Sequence, residues 1–163
     1  MNCSKCGSPL DLRPFADRVR CAYCGSTELV GAEARGSDRI LWTEELQEAD
    51  CPRCECPLVR VTIDGNPAAA CPECHGVLCS NAVFGAVVQQ RRASFQGAEP
   101  PPQPVDRAQL HEVANCPACE RVMETHIYAG PGCQVIDTCG ACHLVWIDCG
   151  ELTVIECAPG RRK

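Results

Sequence analysis

The sequence predicts a small, metal-stabilised β protein built from three tandem modules, and three observations lead to this prediction. Six C-x-x-C pairs occur within 163 residues. Aromatic residues make up only 4 % of the chain, so a large apolar core is not expected. Finally, 13 Gly and 13 Pro interrupt the chain at short intervals. A module of roughly 30 residues buries too little apolar surface to fold unaided, and a bound metal ion supplies the missing stability.

The C-x-x-C pairs group into three sets of four cysteines, and each set has the spacing of a zinc ribbon. The two pairs of each set are separated by 14, 16 and 19 residues, against 15–20 in the ribbon pattern, so the first set is one residue short. A shell of four thiolates leaves no open position, which is typical of a structural zinc site. We therefore expect three zinc ions, each held by one set: Cys3, Cys6, Cys21 and Cys24; Cys51, Cys54, Cys71 and Cys74; and Cys116, Cys119, Cys139 and Cys142.

Iron and disulfides are the alternatives to zinc. Tetrahedral sulfur also suits iron in rubredoxin-like electron carriers, but those need a longer interval and an aromatic core. Disulfide pairing would leave one thiol over, because the chain has 17 cysteines. The sequence opens without a basic and then apolar leader and has no apolar run of membrane-spanning length. We therefore expect a reducing, cytoplasmic location and no association with a membrane.

Five cysteines fall outside the three sets, and their roles stay open. The favoured interpretation is that they are small buried hydrophobic residues. One alternative is that Cys149 is a nucleophile with His143 as its base. Two further alternatives involve the metal ions: Cys56 could replace Cys54 as a ligand, and Cys133 could lie near the third ion. No paired carboxylates, serine triad or phosphate-binding loop is visible, so we do not expect an enzyme. The five residues are Cys56, Cys79, Cys133, Cys149 and Cys157.

The chain divides into modules at residues 1–30, 51–92 and 110–158, separated by a connector at 31–50 and a Pro-rich linker at 93–109, with a basic tail at 159–163. Each module is expected to contain a β-hairpin between its two metal-binding turns, or knuckles. The strands are expected around Leu10, Leu12 and Val19 in the first module, at 58–63 and 68–70 in the second, and at 123–128 and 134–138 in the third. Asp64-Gly65 is a strong tight-turn signal. Short helices are expected at 43–48, capped by Thr43, and at 81–90.

Glycine follows the second cysteine of both knuckles in the first module, at Gly7 and Gly25. Glycine permits a positive φ there, so that backbone N–H groups can turn toward the sulfur atoms. The second and third modules also form an internal repeat. Residues 51–54 match 116–119, and 74–78 match 142–146, which indicates an array of related units.

The third module resembles the bacterial zinc-ribbon family named after transcription factor IIB. The signature of that family reads approximately C-P-x-C…C-P-x-C-x-G-x-W-L-D-x-G-E-L. Residues 116–119, 139–142 and 145–152 match it, with Gly140 in place of the second proline. The second module matches at 71–76 and departs at 78–84. The resemblance covers roughly half the chain and implies the zinc-ribbon fold, whereas the family name reflects shape and not a demonstrated transcription activity.

The stretch from Trp146 to Leu152 is expected to support the third module. Trp146 would cover the core next to the metal, and Asp148 would cap a turn or helix that begins at Gly150. The altered second module is interpreted as a ribbon whose apolar outer edge is specialised for a neighbour.

The favoured function is a non-enzymatic adapter or assembly subunit that binds a protein partner. Ribbons present exposed hairpin edges, and the apolar runs at 40–42 and 83–88 must pack between modules or meet another chain. The net charge of −6, to which each filled four-thiolate site adds about −2, disfavours phosphate binding.

Two other functions remain open. Binding to the transcription machinery or to nucleic acid would use cationic and aromatic side chains. A zinc–thiol redox sensor is the further alternative, because oxidation would eject zinc and unfold a module. The candidates for contact with nucleic acid are Arg13, Arg18, Arg20, Arg91 and Arg92, with Phe15 and Tyr23 for stacking.

Overall fold

The computed structural model describes residues 3, 5–9, 18–25, 27–29, 38–97, 104–105 and 107–160. No helix in these ranges is long and apolar enough to cross a lipid bilayer. A short 3-10 helix spans Gln109–His111. The elements, in chain order, are β1 (Arg18–Arg20), β2 (Thr27–Leu29), β3 (Ile40–Asp50), β4 (Pro57–Ile63), β5 (Asn66–Ala70), β6 (Val77–Ser80), α1 (Asn81–Ser94), β7 (Glu124–Ile127), β8 (Val135–Cys139), β9 (Leu144–Ile147) and α2 (Glu151–Cys157).

The strands form two antiparallel sheets. β1 and β2 pair with each other, and the other seven strands form one sheet in the order β3-β4-β5-β6-β9-β8-β7. The second and third modules therefore contribute to a single sheet, a relation that the sequence left open.

Strands β6 and β9 join the two modules, and each directly follows the last cysteine pair of its module. Leu78 pairs with Trp146, flanked by Val77 opposite Ile147 and Cys79 opposite Val145. Leu78 and Trp146 hold the same position in the sequence repeat, four residues after the last cysteine. A local pseudo-two-fold axis therefore passes between them, as in an isologous dimer. The expectation that the edge of the second module serves a neighbour is confirmed, and the neighbour is the third module.

The two faces of this sheet carry two separate cores, because side chains alternate along each strand. One face is covered by the helices, where Phe84 and Val87 of α1 and Ile155 of α2 meet Val77 and Val145; we call this the helix core. On the other face, Leu78 and Trp146 pack with Leu58, Met123 and several of the cysteines; we call this the cysteine core.

Several local predictions are confirmed. The hairpin of β4 and β5 turns at Asp64 and Gly65, whose φ angles are 50° and 81°. Helix α1 begins at Asn81, and the Ser80 hydroxyl accepts a hydrogen bond from the Val83 amide at 3.2 Å. The apolar stripe of α1 is buried in the helix core. Strands β7 and β8 lie where the third hairpin was expected.

The helix predicted at 43–48 is wrong, because these residues lie within strand β3. The 11 residues of β3 face the 7 of β4, and bulges between Trp42 and Leu46 and between Leu46 and Asp50 absorb the difference. Ile40 and Trp42 pack against the helix core. This burial outweighs the weak local preference for a helix. Residues 40–50 of the predicted connector, just over half of its length, are therefore part of the sheet.

Other predictions concern residues outside the described ranges. Leu10 and Leu12 of the first hairpin are among them, as are residues 98–103 and 106 of the Pro-rich linker and the tail at 161–163. The described pairing in the first module joins β1 to β2. These strands lie on either side of the second knuckle, so this hairpin is not the one predicted between the two knuckles.

Arg91 and Arg92 are buried inside the fold. Because of this burial, they are not the nucleic-acid contacts that the sequence suggested. They are 2 % and 4 % exposed. Arg91 donates to the Asp64 carboxylate and, at 2.8 Å, to the Asp38 carbonyl oxygen. Arg92 donates to the carbonyl oxygens of Ile155 and Ala158 at the end of α2. Both guanidinium groups therefore hold elements together.

The side chain that caps helix α2 comes from a distant part of the chain. The buried carboxylate of Asp38 accepts hydrogen bonds from the amides of Gly150 and Thr153 at 2.8 and 3.0 Å. The expected capping role of Asp148 is wrong, because its carboxylate accepts instead from the Trp146 indole N–H at 2.8 Å. Asp148 thus fixes the orientation of Trp146.

A second arginine cluster, in which Asp137 is buried and Arg53 is half-buried, ties the second and third modules together. Arg53, in the first knuckle of the second module, donates to the carboxylates of Asp137 at 2.7 Å and Asp148 at 3.2 Å in the third. Asp137 is 2 % exposed. Burial raises the pKa of Asp137, and the hydrogen bond from Thr125 and the charge of Arg53 partly offset this increase.

We expect Arg53→Met to lower the free energy of unfolding by about 3 kcal/mol, because it leaves the Asp137 carboxylate buried without its partner. Chemical denaturation of the metal-loaded protein measures the effect. Arg60→Met is the control, since the Arg60–Glu45 ion pair is solvent-exposed and its loss should cost less than about 1 kcal/mol. Equal losses for the two variants would contradict a role for Arg53 in joining the modules.

Gly76 makes room for the Trp146 ring, since a Cβ atom added there would overlap the indole. We expect Gly76→Ala to cost about 1–3 kcal/mol through overpacking. Gly85→Ala is the control, because nothing lies within 4 Å of its added Cβ in α1. That change should raise stability by about 0.5–1 kcal/mol. Denaturation curves of the two variants should thus shift in opposite directions, and a neutral Gly76→Ala would contradict the packing described.

Candidate metal centres

Each predicted set of four cysteines comes together in space, with all four Sγ atoms within 4.8 Å of one another. The distances include 3.6 Å between Cys3 and Cys24, 3.7 Å between Cys51 and Cys74, and 3.7 Å between Cys119 and Cys139. A tetrahedral ion with bonds of about 2.3 Å to sulfur needs its ligands about 3.8 Å apart. A disulfide would require about 2.05 Å, and none of the cysteines forms one. The three groups are therefore positioned to hold metal ions.

The six knuckles share one backbone conformation. The residue after the second cysteine has a positive φ in every case, which confirms the expectation for the two glycines and extends it to four other residues. In five of the knuckles the amide of this residue donates to the carbonyl oxygen of the first cysteine at 2.8–3.0 Å. The six residues and their φ angles are Gly7 (72°), Gly25 (72°), Glu55 (57°), His75 (62°), Glu120 (60°) and His143 (55°).

This turn directs backbone amides at the first sulfur of the knuckle. The amides of Arg53 and Cys54 lie 3.4 and 3.3 Å from the Cys51 Sγ, and those of Glu73 and Cys74 lie 3.3 and 3.4 Å from the Cys71 Sγ. Hydrogen bonds to sulfur favour the thiolate, which is the form that binds metal.

One thiol in each of the second and third groups ionises near neutral pH. For Cys71, burial favours the thiol, but the amides of Cys74 and Glu73 and two neighbouring thiols lower its pKa to about 7. For Cys139, the amide of Cys142 is the main cause that lowers its pKa to about 7. A cation that meets these groups thus finds a thiolate already available.

Trp146 lies fully buried in the cysteine core, beside cysteines of both the second and the third groups. This confirms the expectation that its ring covers the core next to the sulfur atoms. The two groups share one apolar cluster, because Cys51, Cys71, Cys116 and Cys139 all belong to it.

The cysteines outside the three groups differ among themselves. Cys79 is 4 % exposed in the helix core, and burial raises its pKa to about 12, so its interpretation as a small buried hydrophobic residue is confirmed. That interpretation is wrong for Cys133 and Cys149, which are exposed, while Cys157 is half-buried. Cys133 does not belong to the third group. Cys56 lies beside the second group, with its Sγ 3.4 Å from that of Cys71.

No protein-family model matches the chain, and no curated protein or solved structure is significantly similar to it. What the chain does is therefore inferred from its own residues.

We expect the purified protein to contain three metal ions per chain, one for each group of four cysteines. Cys139→Ser should remove about one ion, because a closed shell of four thiolates loses most of its affinity with one ligand. Elemental analysis by plasma mass spectrometry measures the ratio. Cys133→Ser is the control and should retain all three ions. An unchanged ratio in Cys139→Ser would contradict the assignment of the third group.

Proposed function

We propose that this chain is a non-enzymatic zinc-ribbon protein that acts as an adapter or assembly subunit and binds a protein partner in the bacterial cytoplasm. The three groups of four thiols suit zinc, whose structural sites are tetrahedral and closed. The match of the third module to the family signature supports the ribbon assignment. The observation that carries the binding function is the exposed edge strand β3.

Strand β3 lies at one end of the seven-stranded sheet and pairs with β4 alone among the described strands. It is 11 residues long, well above the usual 5–6. Its side chains Leu41 and Leu46 are 62 % and 69 % exposed. An open strand edge offers backbone N–H and C=O groups that an added strand can pair with.

Other apolar surface is used within the fold. Phe84, Val87 and Val88 are buried in the helix core, and Ile40 and Trp42 pack against it. Among the large apolar side chains of the runs at 40–42 and 83–88, only Leu41 of β3 is exposed to a partner.

The charges along β3 indicate what kind of strand it accepts. Glu44, Glu48 and Asp50 form no ion pair within the described part of the chain, whereas Glu45 pairs with Arg60 at 2.7 Å. A second copy of the same edge would place acid opposite acid, which is unfavourable. A partner strand in which Lys or Arg alternates with apolar residues is complementary to this edge.

A peptide titration tests this proposal. A fluorescent peptide of about ten residues that alternates Lys and Val should bind, a Glu/Val peptide should not, and amide hydrogen exchange in β3 should slow on binding. Leu41→Lys with Leu46→Lys should weaken binding by about tenfold or more. The control, Val113→Lys with Val122→Lys, changes side chains of equal exposure in the third module and should leave binding unchanged. Equal affinity for the two peptides, or unchanged exchange in β3, would contradict a strand-binding edge.

Contact with the transcription machinery or with nucleic acid is the second candidate function. Tyr23 is 74 % exposed in the knuckle between β1 and β2, and the sequence of β1 contains Arg18 and Arg20. Exposed aromatic side chains together with cationic ones are typical of single-strand binding sites. In the same titration, binding of a single-stranded oligonucleotide that weakens with salt would favour this candidate over the adapter.

A further inference from the structure

The second metal centre has a fifth thiol within reach. The Sγ atom of Cys56 lies 3.4 Å from that of Cys71, closer than the 3.7 Å between the ligands Cys51 and Cys74. Cys56 is half-buried, whereas Cys54, two residues earlier, is exposed. A fifth sulfur atom therefore lies next to one ligand of the group of four.

The position of Cys56 recurs in every module, but the thiol does not. In each module the amide of the first cysteine donates to the carbonyl oxygen of the residue five positions later, at 2.8–2.9 Å. That residue is Ser8 in the first module, Cys56 in the second and Arg121 in the third. The backbone thus holds these three side chains in equivalent places, and only the second centre gains a soft ligand from it.

We propose that Cys56 is a reserve ligand of the second centre, so that a soft divalent ion is held there by Cys51, Cys71 and Cys74 together with either Cys54 or Cys56. This inference rests on the metal binding that the proposed function assumes. Cys54 is the ligand that exchanges, because it is the exposed member of the group and belongs to the same turn as Cys56. When the ligands exchange, Cys56 releases its thiol proton and the departing Cys54 thiolate takes one up. The shell keeps four thiolates and the same charge.

An exchangeable fourth ligand gives this centre a different chemistry from the other two. While one sulfur replaces another, the ion never has fewer than three protein thiolates, and an incoming chelating group can enter from the exposed side. Metal exchange is therefore faster at the second centre than at the third, where Arg121 offers no sulfur.

Substitutions in the full chain, loaded with cobalt(II) as a spectroscopic probe, test the reserve ligand. We expect Cys54→Ser to keep three ions and the absorption of a four-sulfur site. Cys54→Ser combined with Cys56→Ser should keep two ions. The matched control is the third centre: Cys119→Ser should keep two ions, and adding Arg121→Cys should restore the third. Far-UV circular dichroism establishes that the sheet persists in each variant.

The outcomes separate this inference from the proposed function. Cys56 is not a ligand if Cys54→Ser loses one ion, or if its second centre loses the four-sulfur spectrum as in the double variant. In either case, the ions kept by the first and third centres would still support the metal-bound fold. If the unaltered protein binds no cobalt(II) or zinc, the metal-bound fold itself is wrong. An unchanged rate of metal transfer to a chelator in Cys56→Ser would also overturn the exchange role.

Discussion

The convergence of four sulfur atoms is the constraint on which the rest of this structure depends. It requires the residue after each knuckle to adopt a positive φ, and four non-glycine residues accept this conformation, among them His75 and His143. It also places the first cysteine of each knuckle at the buried side of its module. Thiolates in an apolar environment repel one another and are costly without a cation. An ion bound by these groups would therefore take the role that large apolar side chains have in other small domains.

The pairing of β6 with β9 explains why the second module differs from the third at this point of the internal repeat. Leu78 and Trp146 are equivalent in the repeat and face each other directly across the pseudo-two-fold axis. Side chains opposite one another in antiparallel strands have Cβ atoms only about 5 Å apart. One indole already fills the cysteine core at this point, and Gly76 has no side chain to obstruct it. A second tryptophan at position 78 would have no space, so the asymmetry between the modules follows from their association.

The features that were predictable from the sequence depend on neighbouring residues in the chain. The cysteine spacing defines each knuckle, Asp64-Gly65 defines a tight turn, and the stripe on α1 defines its buried face. Strand β3 could not be predicted, because Thr43 and the acids after it favour a helix start, whereas Ile40 and Trp42 are buried by distant residues.

The same reasoning applies to the buried charges. Arg91 and Arg92 form an ordinary basic pair at the end of a helix, and only their partners 27 to 66 residues away show that they are structural. Asp38 had no signal in the sequence beyond its place in a turn-forming segment, yet its carboxylate caps α2. Long-range polar contacts of this kind leave no periodic pattern in a single sequence.

The exposed edge and the exchangeable centre lie in one hairpin, and this joins the two proposals physically. Strand β3 ends at Asp50, which pairs with Pro57 at the start of β4. The loop between them is the knuckle that contains Cys51, Cys54 and Cys56. An ion bound at the second centre would order this loop, and the ordered loop would hold β3 against β4. If a partner strand pairs with ordered β3, metal binding and partner binding strengthen each other. The two effects are equal in free energy, because linkage is reciprocal. The Cys56 thiol thus lies in the loop that leads directly out of β3, so a change in metal ligation there would alter the strand to which the partner binds.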